Sequence, residues 1–366
     1  MFPSTRTPCA QLASTLRSAV RARARARRSQ LFGIAAAVIA LALIGSGCGS
    51  SSSSSGTTDS STSAATSKGD PILVVGAPLS DPFWGAVKQG TDAAAKQLGV
   101  NYQYVPLKDE SNIVASYGEA IEQAIARHPA ALIVGGFFPS VEGLVKKATA
   151  EGIPVFMFDA GAKTWQQWGA LGFVGEDSPA MGQVAGELST QAGVTDGLCF
   201  NGTPGDPQQE ERCNGYIEVV KAAGGTAKMI QIPAADATNP SAVTQDVSGA
   251  LASDSSVNGV YLSTAALEAP AQQAVSSLGR SGKITIGTND ISTQALNDVK
   301  SGKALFIIDH QPYIEGYDAV QEAAQYLLYD MLPASAISSG PFAITKENVD
   351  KVISVNEEHP GIRGAQ

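Results

Sequence analysis

From Ile72 onward the chain alternates short apolar runs with helical patterns about every 25 to 30 residues. Strict alternation of that kind demands a mostly parallel sheet, because parallel neighbours need a crossover and the crossover here is a helix. The first unit, Pro71 to Val105, sets the type. Ile72 to Val75 is a continuous apolar run, short enough for a strand buried on both faces. Asp81-Pro82 reads as an N-cap followed by proline at the first helical position. Trp84, Val87, Ala94 and Leu98 recur at helical spacing, and Gly99 stops the helix where a left-handed cap would sit.

The same pattern predicts about ten strands, more than one compact sheet of this kind usually holds. Two similar lobes fit better, the second starting near Glu176. The doubling comes from pattern alone, since no sequence repeat is visible.

The first 69 residues do not read as fold. Residues 1–30 carry arginines and no acids, Leu31 to Ile44 is an apolar run of 14 residues, and Gly45-Ser46-Gly47-Cys48 follows. A basic start with an apolar stretch too short to span a bilayer is an export signal. Cys48 resembles the lipidated cysteine of bacterial lipoproteins, although Gly45 stands where leucine is usual. Residues 49–69 are nearly all Ser, Thr, Gly and Ala, too polar to bury, and so form a flexible tether.

Seven of the 25 basic residues, and none of the 34 acidic ones, precede Cys48, leaving the remainder with a formal charge of −16. Such a surface repels phosphate backbones and argues against nucleic acid as a partner. Cys199 and Cys213 are the two cysteines beyond Cys48. In an exported chain they read either as a disulfide or as two buried thiols.

In a parallel sheet the loops after the strands emerge on one edge, and those loops gather the candidate site. They are Asp81-Pro82-Phe83-Trp84, Gly135-Gly136-Phe137-Phe138, Asp159-Ala160-Gly161, Gly202-Thr203, Ser263-Thr264, Thr288-Asn289-Asp290 and Asp309-His310-Gln311. Carboxylates and amides over flat apolar rings suit a polyhydroxylated ring and suit a phosphate poorly. Several of these residues have plainer readings. Asp81 can simply cap its helix, Trp84 shares the register of core-facing Val87, and Arg212 can pair with Glu210 or Glu211 on a solvated face.

Taken together, these segments resemble the ribose- and galactose-type periplasmic binding proteins of ABC sugar importers, over roughly Pro71 to Val355. Asp81-Pro82-Phe83-Trp84 is similar to that family's Asn-Pro-Phe-Phe loop, and EGIPVFMFDAG (151–161) to its strand ending in a ligand-binding aspartate. FVGEDSPAMG (173–182) resembles the first crossover between lobes, and Glu211-Arg212-Cys213-Asn214-Gly215-Tyr216 the Arg-x-x-Gly-aromatic helix start. Ile286 to Asp290 resembles the Gly-x-Asp loop, and IDHQPYIEGY (308–317) the second crossover, which reads DQQPYLQGY in some members.

The resemblance implies a fold of two Rossmann-like α/β lobes with parallel sheets, joined by three crossover strands. It implies lobes over 70–175 plus 310–340 and over 176–309 plus 341–366, following the signal over 1–48. It also implies a sugar or related polyol held between closing lobes, and a monomer that delivers it to an ABC permease in the membrane. Asp81 would hydrogen-bond the sugar, and Phe83, Trp84 and Phe137 would pack on it. Asp159 and Arg212 would bind hydroxyls from opposite lobes, with Asn289 or Asp290, and His310 or Gln311, completing the set. Ala160 replaces the arginine of ribose binders, and Thr264, Thr288 and Gly135 replace their asparagine, phenylalanine and asparagine, pointing to a different or less polar ligand.

No cofactor, metal site or catalytic activity is expected. The folded part holds only His128, His310 and His359, without a His-x-x-x-His pair or a Gly-x-Ser-x-Gly elbow. A ligand sensor presenting its bound state to a receptor has the same fold and the same sequence signals.

Overall fold

The computed structural model describes residues 70–108 and 112–365. The expected export signal, lipidation at Cys48 and tether all fall outside these residues. Among the described residues no helix is long and apolar enough to cross a membrane.

Among the described residues twelve strands form two six-stranded sheets. The first orders β11-β5-β4-β3-β1-β2, all parallel, from β1 (Ile72–Gly76), β2 (Tyr102–Pro106), β3 (Ala131–Gly135), β4 (Val155–Asp159), β5 (Gly172–Glu176) and β11 (Ile337–Gly340). The second orders β12-β10-β9-β8-β6-β7 from β6 (Asp196–Asn201), β7 (Thr226–Gln231), β8 (Gly259–Leu262), β9 (Thr285–Asn289), β10 (Phe306–Asp309) and β12 (Phe342–Ile344). Only β12 runs antiparallel, against β10. Strands β1, β3, β4 and β5 are buried at every position, as expected of apolar runs covered by helices on both faces.

Helices α1 (Pro82–Leu98), α2 (Ile113–Ile125), α3 (Val141–Ala150) and the short α4 (Trp165–Trp168) belong to the first sheet. Helices α6 (Pro207–Ala222), α7 (Pro240–Ser253), α8 (Glu268–Ser277), α9 (Thr293–Ser301) and α11 (Val349–Glu358) belong to the second. The two remaining helices change sides. α5 (Ser178–Gln191) leaves β5 of the first sheet and packs on α6, while α10 (Pro312–Tyr329) leaves β10 of the second and packs on α1.

Both packings depend on glycine. A Cβ on Gly182 or Gly215 would strike the carbonyl of Arg212 or Pro179, and one on Gly90 or Gly316 would strike that of Tyr313 or Val87. The glycine of the Arg-x-x-Gly motif is therefore a packing residue that lets α6 lie close to α5.

The chain passes between lobes at 176–178, at 310–311 and at the cis Gly340-Pro341 peptide. Residues 341–366, expected wholly in the second lobe, finish along the seam instead. Ala365 packs with Ile291 and Ala295 of the second lobe, yet Pro360 accepts a 3.2 Å hydrogen bond from Gln89 on α1. The sequence also hid β11 and α11. Ile337-Ser-Ser-Gly offers one apolar residue, so its pairing at the sheet edge leaves no periodic trace.

Candidate functional site

In each sheet the strand order reverses between two central strands, β1 and β3 in the first lobe and β6 and β8 in the second. Loops diverge from such a switch point and leave a crevice. The two crevices face one another across a single cavity of 560 Å³.

Lobe one supplies the floor of rings. Asp81 accepts from Phe83 N at 2.9 Å, which fixes the start of α1. Phe83 then stacks on the His310 imidazole, with centroids 4.8 Å apart and planes 19° from parallel. Trp84 meets Phe83, Phe137 and Phe158 edge to face at 5.3, 5.8 and 5.9 Å. It is only 9% exposed and belongs to the first lobe's core, so it shapes the cavity wall while carrying a core contact load. Of the two readings the sequence left open, stacking ring and core residue, the core one describes its packing.

The hinge end holds a buried ionic network. Arg212, 3% exposed, sets Nη2 at 2.6 Å and Nε at 2.9 Å from the Glu176 carboxylate and donates from Nη1 to Ser263 O at 2.8 Å. Nη1 also lies 3.9 Å from Asp290. The solvated pairing with Glu210 or Glu211 does not occur; Glu211 instead reaches across to Lys163 at 2.9 Å. His310 places Nε2 at 2.9 Å from Asp290 and Nδ1 at 3.1 Å from Glu315. Nδ1 is also 3.6 Å from both Asp159 and Glu176.

Charge balance follows from these distances. Burial alone would lower the His310 pKa, but Glu315, Asp290 and Glu176 outweigh it and hold the imidazolium well above its usual range. Burial, reinforced by Glu315, pushes the Asp159 carboxyl up, with His310 opposing. Burial likewise raises Glu315. Asp290 goes the other way: Arg212 and His310 overcome its burial and keep it ionised below the usual carboxylate range. Burial pushes Asp206, the N-cap of α6, up to about 7 against the pull of Arg212.

Asp159, Asp290 and Gln311 all adopt left-handed backbone, with φ of 59°, 64° and 57°. Such angles are uncommon outside glycine and cluster where structure over-determines them. Two of the three aim their side chains at the cavity. The third does not: Gln311 donates to Ser339 O at 2.6 Å and ties the second crossover to the third. Of Asn289 and Asp290, offered by the sequence as alternatives, Asn289 does not line the cavity. It is fully buried and bonded to the Tyr261 hydroxyl, and Asp290 lines the cavity in its place.

The residues brought together at the cavity are thus Asp81, Phe83, Trp84, Phe137, Asp159, Arg212, Asp290 and His310. Sequence reasoning missed Gln208, whose Nε2 donates to Asp159 Oδ1 at 2.9 Å across the lobes. A signal existed. Asp206-Pro207 repeats the Asp81-Pro82 helix start, so the two motifs mark equivalent loops in the two lobes. Asp159, His310 and Glu315 have metal-ligand chemistry with atoms within 4.8 Å of one another, but the His310–Glu315 bond and the Ser339 hydroxyl already occupy the shared carboxylate oxygen. Away from the cavity, Cys199 and Cys213 form a disulfide, with Cα atoms 5.5 Å apart.

The periplasmic binding protein domain model matches residues 72–329. The xylose/arabinose-binding protein XylF of Sulfolobus acidocaldarius is 25% identical over 297 residues, covering 76% of this chain and 71% of that protein. The ribose import binding protein RbsB of Haemophilus influenzae is 26% identical over 270 residues, 73% of this chain and 89% of its own. Among solved structures, a carbohydrate transporter from Acidothermus cellulolyticus 11B in complex with myo-inositol is 29% identical, with a TM-score of 0.71 over 80% of this chain and 98% of that one. GanP, a glucose-galactose binding protein from Geobacillus stearothermophilus, is 21% identical and shares the fold at a TM-score of 0.68 over 76% of this chain and 98% of its own. The two-sheet α/β fold is shared with these solved structures, and the chain belongs to the periplasmic binding protein domain family.

Proposed function

We propose that the protein is the extracytoplasmic solute-binding component of an ABC importer and holds a sugar or related polyol between its lobes. One observation carries this reading. Hydrogen-bonding groups from both lobes, Asp159 and His310 on one side and Gln208, Arg212 and Asp290 on the other, converge beside the Phe83 ring in one cavity. Charged donors and acceptors bind paired hydroxyls, and a ring beside them stacks on the apolar face of a sugar. The relatives named above point the same way, since those names speak of xylose, arabinose and ribose and of import.

The mechanism is closure. The lobes pivot at the three crossings, and a solute touching both lobes favours the closed state by its differential affinity for it. Arg212 is neutralised by Glu176, so it offers oriented donors without drawing an anion into the cavity. A membrane permease recognises the closed form, Cys48 carries the lipid anchor, the lobes divide at the boundaries given above except that 341–366 finish along the seam, and the protein acts as a monomer.

A thermal-shift and calorimetric screen of the protein against pentoses, hexoses and inositols tests this. A ligand present far above its Kd stabilises the fold by ~3–4 kcal/mol, a rise of several degrees. Folded protein that responds to none of them would exclude the sugar reading.

A further inference from the structure

The cavity changes character along its length, and the strand order says in which direction. Loops after β4, β9 and β10 stand at the hinge side of their sheets and bring Asp159, Asp290 and His310. Loops after β2 and β7 stand at the opposite edges. There the lining is Leu107 and Ile113 in the first lobe and Ala237 with Thr238 in the second.

Between the two ends the first lobe's wall is mostly apolar, whereas the second lobe also brings Thr203, Asp206 and Gln209. Phe137 meets Tyr117 edge to face at 5.3 Å, and Tyr117 meets Phe138 at 6.4 Å, giving one run of rings outward from Trp84. Across from them lie Ala265, Ala266 and Leu267. Asp159, Arg212, Asp290 and His310 are thus gathered at the hinge end, while Asp81 and Asp206 stand midway, each accepting from a backbone N–H at the start of its helix. At 560 Å³ the cavity falls in the range of about 300–1,000 Å³ that takes drug-sized ligands, more room than one pentose or hexose fills.

We propose that the solute is a sugar joined to an apolar group: a glycoside whose ring sits at the hinge and whose apolar aglycone lies along Phe137, Leu107 and Ile113. This rests on the sugar-binding reading above. A free sugar would leave that wall against water, whereas an aryl or alkyl substituent removes apolar surface from water on both sides. The replacement of Asn by Gly135 fits, because the Phe137 ring lies where a side chain at 135 would stand.

The test compares free xylose, arabinose, ribose, glucose and galactose with their methyl and phenyl glycosides, by calorimetry on the protein expressed from the full chain. The phenyl glycoside of the preferred sugar should bind at least tenfold more tightly than its methyl glycoside. Ile113→Ser, and from the opposite wall Ala266→Glu, should each bring that ratio toward one. Ala266 is exposed and its variant leaves the melting temperature nearly unchanged. Ile113 packs half-buried at the core's edge, and its variant's melting temperature is recorded beside the ratio. Equal or weaker binding of the phenyl glycoside, or a ratio that survives both substitutions, overturns the aglycone site while leaving sugar binding intact. Binding of none of the free sugars or glycosides by folded protein overturns the sugar reading and this inference with it.

Discussion

Asp159 at the end of β4 accepts a 2.9 Å hydrogen bond from Nε2 of Gln208 in the first turn of α6, so a carboxylate of one lobe is held by an amide of the other. The bond is buried and sits within the ring of groups that would meet a solute. Asp159 is thus a contact on the ligand path and a lobe-to-lobe link at once.

Asp159→Ala is expected to weaken solute binding by ~10- to 100-fold or more, the worth of one or two hydrogen bonds to a charged group. Calorimetry with the best sugar from the screen measures it, with circular dichroism confirming the fold. Unchanged affinity would remove Asp159 from the site.

Arg212→Met should cost about 3–5 kcal/mol of stability, because Glu176 is then buried without its partner. Adding Glu176→Gln should recover part of the loss. Urea unfolding of the single and double variants reads both, and additive losses would contradict the coupling.

Trp84→Ala should lower stability by ~3–5 kcal/mol, as for a large aromatic removed from a core, since Trp84 packs on Phe83, Phe137 and Phe158. A melting point within a degree or two of the parent, with affinity alone reduced, would assign the ring to the ligand and not to the core.

Stability should fall as pH rises. The His310 pKa is raised in the fold, so its contribution is complete below about 6.5 and is lost as pH climbs through the higher folded value. Asp159 and Glu315 are raised too, and their buried ionised forms add a penalty that builds above the ordinary carboxylate range. Asp290, lowered, contributes the opposite slope only in strong acid. Melting temperatures at pH 6 should exceed those at pH 9, and His310→Gln should flatten the alkaline part of that profile.

Glu322 on α10 is buried, its carboxyl oxygens have no hydrogen-bond partner among the described residues, and burial pushes it up to about 7. Its neutral form suits the fold, so the penalty grows between about pH 4.5 and 7 and is complete above that. Glu322→Leu should therefore stabilise by roughly 1–3 kcal/mol at pH 8 and by much less at pH 5. A gain independent of pH would assign the effect to packing alone.

The fold was legible because buried parallel strands are continuous apolar runs, and Asp-Pro pairs with terminal glycines punctuate the helices. Loops at strand ends were legible too, and they delivered Asp159, Asp290 and His310 to one place, where Arg212 of α6 meets them. What sequence could not supply was side-chain direction. Asn289 and Asp290 are neighbours at the end of β9 with opposite outlooks, and so are His310 and Gln311. A left-handed residue at a strand end decides which of the two turns inward, and that angle leaves no mark on composition. Glu315 was hidden for a related reason: it lies in a helix, five residues from the histidine whose charge it supports.

The exchange of α5 and α10 between lobes bears on the order in which the protein is made. The second lobe comes off the ribosome almost in one piece, whereas the groove of α1 is filled only by Pro312 to Tyr329, synthesised after nearly all of the second lobe. The helix that opens the fold thus waits longest for its covering, with Val87 and Gly90 open to other chains meanwhile. A chain translocated unfolded and released whole escapes that wait.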